Sequence, residues 1–127
     1  MKLRIKGNSL RLRVSRSELD RFLRGERVEE TIHFAPHADA KLTYALEQKS
    51  SVSTPTVRYT AGEIAILIPA ELANTWGSTD MVGIVESVSL GTLGSLDLVV
   101  EKDFACLDRS EEENHDTFAN PLAGAVC

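Results

Sequence analysis

Leu3 and Ile5 alternate with Lys2, Arg4 and Lys6, and after Gly7-Asn8-Ser9 the alternation resumes with Leu10, Leu12 and Val14 against Arg11 and Arg13. Successive side chains on a strand point to opposite faces, so this pattern predicts a β-hairpin with one apolar and one basic face. Ser15-Arg16-Ser17-Glu18 then has the spacing of a capping box, in which the serine oxygen and the glutamate satisfy free N–H groups at a helix start. Leu19, Phe22 and Leu23 follow at helical spacing, and Gly25 supplies a stop. Strands are expected at Val28–Phe34 and Leu42–Gln48, with a Ser/Thr/Pro-rich linker over Lys49–Thr56.

The rest of the chain repeats this order. Val57–Thr60 and Glu63–Ile68 read as strands around an Ala61-Gly62 turn. Pro69 suits a helix start, Ala70–Trp76 a short helix, and Gly77 its end. Met81–Leu90 and Leu96–Lys102 read as strands around Gly91-Thr92-Leu93-Gly94-Ser95. At a spacing of 54 and without a gap, Leu3, Ile5, Leu10, Leu12 and Val14 fall on Val57, Tyr59, Ile64, Ile66 and Ile68. Phe22 falls on Trp76, Val28 on Val82, Leu42, Tyr44 and Leu46 on Leu96, Leu98 and Val100, and Glu47 on Glu101. Two β-β-α-β-β units are therefore expected over about 1–54 and 55–104, followed by a tail over 105–127. A unit of about 50 residues buries too little surface to stand alone. The expected fold is α+β, a β-rich and mostly antiparallel barrel or sandwich, with the units related by a pseudo-twofold axis in one domain spanning 1–127. Ile64–Ile68 is apolar on both faces, which marks it as a central strand or an oligomer contact.

Composition adds limits. The 127 residues are 43% hydrophobic and 26% charged, as in a globular protein, and no apolar run has the length of a membrane helix. The first residues lack the continuous apolar stretch of a secretory leader, so a cytoplasmic protein without membrane contact is expected. Cys106 and Cys127 do not make a disulfide framework. The net charge is −5, but residues 1–54 hold 11 Lys or Arg against 7 Asp or Glu, whereas 55–127 hold 3 against 12. Such asymmetry suits contact with an anionic partner, or between the two halves of neighbouring molecules.

Glu101-Lys102-Asp103-Phe104-Ala105-Cys106-Leu107, then Asp116 and Asn120-Pro121, resembles a family of small bacterial proteins of unknown function marked by an EKDFxCL segment and a C-terminal Asn-Pro. The opening MKLRIKGNSLRLRVS extends the resemblance over nearly the whole chain, while Ala119 stands where that family usually has proline. The resemblance implies a bacterial cytosolic protein and carries over no activity or catalytic residue.

Four groups of residues have usable chemistry. Cys106, Asp108, His115 and Asp116 are metal ligands in kind, with zinc or another divalent ion as the candidate cofactor. Their spacing is not that of a zinc finger, and an apolar cysteine beside a wet acidic tail is the ordinary account. Cys106 with His115 as its base would need a fold-back and an oxyanion hole. His33 and His37 are four apart, but Pro36 between them removes the helical meaning of that spacing. Lys2, Arg4, Lys6, Arg11 and Arg13 form a basic face, with Arg16, Arg21, Arg24 and Arg27 nearby. That face could grip nucleic acid or another anion, although no aromatics are interleaved for base stacking. Glu47 and Glu101 would form a carboxylate pair if the axis brought them together. No nucleophile elbow, phosphate loop or cofactor fingerprint appears, and Gly91-x-x-Gly94 is a hairpin turn. The leading expectation is a non-enzymatic module that binds a protein partner or itself. The alternatives are a small metal-binding protein or metal-dependent enzyme using the C-terminal Cys/His/Asp segment, and a nucleic-acid binder using the basic N-terminal hairpin.

Overall fold

A computed structural model describes residues 1–104 and 115–119. It contains β1 (Lys2–Lys6), β2 (Ser9–Val14), α1 (Arg16–Leu23), β3 (Val28–His33) and β4 (Lys41–Gln48). The second series is β5 (Thr56–Thr60), β6 (Glu63–Ile68), α2 (Ala70–Ser78), β7 (Gly83–Ser89) and β8 (Ser95–Lys102), with a 3-10 turn at Gly91–Leu93.

Each unit divides its strands between two sheets. The first sheet has the order β1-β2-β8-β7 and the second β3-β4-β6-β5. The first hairpin of one unit thus lies beside the last hairpin of the other. The hairpins are antiparallel, and the joints β2–β8 and β4–β6 are parallel. Exchanging the units maps one sheet onto the other, registers included. Lys2 opposite Arg13 becomes Thr56 opposite Leu67, and Leu10 opposite Leu98 becomes Ile64 opposite Tyr44. Neither sheet closes on itself, so the architecture is sandwich-like and a barrel is not formed.

The gapless alignment fails in one stretch. Val28 faces Leu46, but the residue facing Val100 is Ile84, not Val82. Ile84 is buried like Val28, whereas Val82 is 47% exposed. Two residues have been gained between the start of α2 and β7, and two lost from the following hairpin loop, which spans 34–40 in one unit and 90–94 in the other. The two changes cancel, so β8 returns to the spacing of 54.

Local chemistry explains both helices. Ser15 and Glu18 form the expected capping box. At the other end Gly25, at φ +88°, donates to the Phe22 carbonyl while Glu26 N–H reaches Arg21, which is a Schellman closure. Gly77 does not end α2, which runs on to Ser78. The last residue of the second hairpin in each unit caps that unit's own helix. Gln48 Nε2 donates to the Phe22 carbonyl at 2.7 Å, and its counterpart Lys102 places Nζ 2.9 Å from the Thr79 carbonyl. A cation there also suits the negative end of the helix dipole.

The shared core contains Leu12 with Ile66, Val14 with Ile68, Val28 with Ile84, and Leu46 with Val100. Burying each such side chain contributes roughly 1.5–3 kcal/mol. The counterparts Phe22 and Trp76 meet edge to face, 6.0 Å between ring centres, and Trp76 Nε1 donates to the Val82 carbonyl. The doubly apolar β6 is a central strand, as one expectation had it. Its outer residues Ala65 and Leu67, with Ala45, are already buried against Val52 of the linker, so its apolar outer side is not open for an oligomer contact.

Candidate functional site

The inner faces of the two sheets are equivalent, but the outer faces have diverged. Pairing registers place outward residues in rows across each sheet. In the first sheet the rows are Lys2–Arg13–Glu101–Gly83, Arg4–Arg11–Val99–Val85, and Lys6–Ser9–Asp97–Ser87. In the second they are Thr56–Leu67–Glu47, Arg58–Ala65–Ala45–Glu29, and Thr60–Glu63–Thr43–Thr31. The first face carries five cations against two carboxylates. The second carries two cations, Arg58 and Lys41 (opposite His33), against three, and Arg27 beside it evens the balance.

The second face neutralises itself. Arg27 pairs with Glu29, Glu47 and Glu63 at 2.9–3.0 Å, and Arg58 pairs with Glu47 at 2.7 Å and Glu63 at 3.6 Å. Burial works against the Arg27 charge, but Glu63 and Glu29 outweigh it and hold the guanidinium above its ordinary pKa. Thr31 and Thr43 share a hydroxyl hydrogen bond across the strands.

The first face keeps free charge. Arg13 binds Glu101 at 2.8 Å, with Arg11 3.9 Å away, and Lys2 binds the buried Asp103 at 3.1 Å. Arg4 and Lys6 make no ion pair among the described residues. With Ser9 and Arg11 they line a shallow depression of about 180 Å³. Exposed Val85 and partly buried Val99 continue the Arg4–Arg11 row, giving a basic strip beside a small apolar one. Sequence reasoning found the five cations. It missed Asp97, Val99 and Val85, because the β2–β8 joint that aligns them is not a local property of the chain.

The other candidates are placed as follows. Glu47 and Glu101 lie in different sheets, each bound to arginines of its own sheet or the adjoining loop, so the fold gives them no shared site. Cys106 and Asp108 lie outside the described residues. Asp116, at φ +59°, docks on the start of α1. Its carbonyl accepts from Arg16 N–H at 3.0 Å, and its carboxylate accepts from the Ser17 N–H at 3.0 Å and from the Ser17 hydroxyl. The Ser17 hydroxyl is the chief reason its pKa falls below the ordinary 3.8; partial burial opposes this, and the Ser17 amide, Ser15 and the nearby His115 assist. Asp116 thus acts as a cap on α1. Phe118 joins Phe104 in a single bridge, with the two rings edge to face and the Arg16 guanidinium over Phe118 at 5.3 Å. Residues 115–119 therefore pack on the body. His33 and His37 are exposed on either side of Pro36. Among the described residues no three His, Cys, Asp or Glu side chains gather in a way that could hold a metal.

One further cluster ties the sheets together near β1. The Met1 ammonium binds Glu18 at 2.5 Å and Glu30 at 3.1 Å, and Tyr44 donates to Glu30 at 2.7 Å. Burial, followed by the Glu30 carboxylate, pushes the Tyr44 phenol up to about 12. Glu18 is held below its ordinary pKa: burial raises it, but the Met1 ammonium and Ser15 outweigh that.

The fold and its surfaces define a class: a β-rich α+β protein of two pseudo-equivalent mixed sheets, with one outer face neutralised and the other cationic. Among the described residues no helix is long and apolar enough to cross a membrane. The chain belongs to a family of unknown function (DUF7009), whose family model matches residues 1–122. Comparison with the curated proteins and with the solved structures returns no match.

Proposed function

We propose that the protein is a non-enzymatic binding module whose working surface is the outer face of the first sheet and whose partner is anionic. The carrying observation is the divergence of two otherwise equivalent faces. Lys2, Arg4, Lys6, Arg11 and Arg13 stand where the second sheet has Thr56, Arg58, Thr60, Ala65 and Leu67. Folding alone accepts either set, because both sheets bury the same inner face. Uncompensated surface charge of one sign costs solvation when covered, unless the covering surface is complementary. On the resemblance of its motifs, the same reading takes the protein as bacterial and cytosolic.

The test is binding of labelled poly-glutamate by the full chain at low and high salt, beside Arg4→Glu/Arg11→Glu and a second-face control, Arg58→Glu. The expected result is salt-sensitive binding lost in the first-face variant and kept in the control. No binding by the native chain at low salt refutes the reading. A single-stranded oligonucleotide run in parallel asks whether a nucleic acid is the better ligand, in which case the salt slope counts its phosphate contacts.

A further inference from the structure

Resting on that reading, we infer that the partner is an extended segment of alternating acidic and apolar residues that adds as a fifth strand to the free edge of β1. Three observations converge there. First, β1 is the terminal strand of its sheet, and among the described residues its backbone hydrogen-bonds to β2 alone. Its other side is a row of unpaired donors and acceptors, which is what an incoming strand requires. Second, its side chains are ordered by face. Lys2, Arg4 and Lys6 point outward, and Leu3 and Ile5 inward. A strand laid beside β1 sets its own side chains opposite these, with Cβ atoms about 4.5–5.5 Å apart, so its outward positions meet three cations in a row. Carboxylates there are favoured and cations excluded. Third, the inner side at this edge is left uncovered. Ile5 is 59% exposed, although its partner Leu10 is 7% exposed and packed in the core. An apolar side chain on the inner face of an added strand would cover it.

The same charges decide against a second copy of this chain. Two β1 strands set side by side would oppose cation to cation, a common device against self-pairing. The other three edges do not supply the complement. β5 reads Thr-Val-Arg-Tyr-Thr, β7 has Val85, Ser87 and Ser89 outward, and β3 has one outward carboxylate, Glu29. A nucleic acid would meet the cations but leave Ile5 and the strand edge unused.

The experiment uses the full chain and two capped synthetic peptides of seven residues with the same composition. One alternates glutamate and valine, and the other places its glutamates and valines in separate blocks. Affinity is measured by calorimetry, and amide hydrogen exchange is followed at residues 2–6. The alternating peptide is expected to bind about tenfold tighter than the block isomer, as three favourable cross-strand pairs imply. It should also slow exchange in β1, and lose about tenfold in affinity with Arg4→Glu. Arg4 is exposed, so that variant is expected to fold, which circular dichroism checks. Equal binding of both peptides, or binding with β1 exchange unchanged, overturns strand addition while leaving an anion-binding face. Binding of the oligonucleotide with neither peptide bound also overturns it. If peptides, poly-glutamate and oligonucleotide all fail to bind, this inference and the reading beneath it fall together.

Discussion

Gly77 and Leu23 are counterparts in the two units, and they meet where the two helices pack. A Cβ built on Gly77 would stand 2.4 and 2.5 Å from the two Leu23 Cδ atoms and 2.9 Å from Cγ, closer than side chains tolerate. Local propensity argues the other way, since alanine in place of a helical glycine gains about 0.8–1 kcal/mol. Leu23 is only half-buried and can swing aside, at a cost of roughly 0.5–1.5 kcal/mol for an off-rotamer pose and up to about 3 kcal/mol if the helices must shift. Gly77→Ala is therefore expected to be neutral or to destabilise by up to about 2 kcal/mol. In a Leu23→Ala background the obstruction is gone and only the propensity gain remains, so the same change should stabilise by up to about 1 kcal/mol. The coupling between the two sites is then the relieved obstruction, about 0.5–3 kcal/mol. Urea and thermal melts of the four proteins measure it, with about 3–5 °C of Tm for each kcal/mol in a chain of this size. A Gly77→Ala variant that gains as much in the native background as in Leu23→Ala would refute the tight approach of the helices.

The two outer faces should answer oppositely to the same residue. Ala65→Leu overpacks the patch beneath Val52 and is expected to cost about 1–3 kcal/mol, whereas Arg11→Leu at the equivalent position should stay within about 0.5 kcal/mol; equal melting temperatures would contradict the buried patch. The Asp116 cap has a defined acid limit. Its folded pKa is depressed, so its contribution is fully present above the ordinary 3.8 and is lost as pH falls through the depressed value. Exchange protection of the Ser17 amide should follow that course, remain intact at neutral pH, and be absent at all pH in Asp116→Ala. Loss of protection well above 3.8 in the native chain would contradict the cap.

Much of the candidate face was legible in the sequence. Lys2, Arg4, Lys6, Arg11 and Arg13 alternate with apolar residues, and alternation alone puts them on one side of a hairpin. What surrounds them was not. Glu101, read as half of a carboxylate pair, serves instead as the counter-ion of Arg13. Asp116, read as a metal ligand in kind, caps a helix 99 positions earlier in the chain. Both roles depend on contacts between distant segments, which carry no local signature.

The chain by itself determined the two β-β-α-β-β units, the helix start at Ser15, the glycine closure at Gly25 and the apolar side of each strand. Period, capping and turn chemistry act over a few neighbouring residues, and can be read wherever those residues stand together. Tertiary structure decided that the hairpins exchange between units, that Ile84 rather than Val82 answers Val28, and that the linker covers one outer face while the other stays open. Those outcomes follow from filling one shared core. Sheet partners are chosen by which apolar faces can be buried together, and a two-residue slip preserves the facing of every side chain while changing its neighbours.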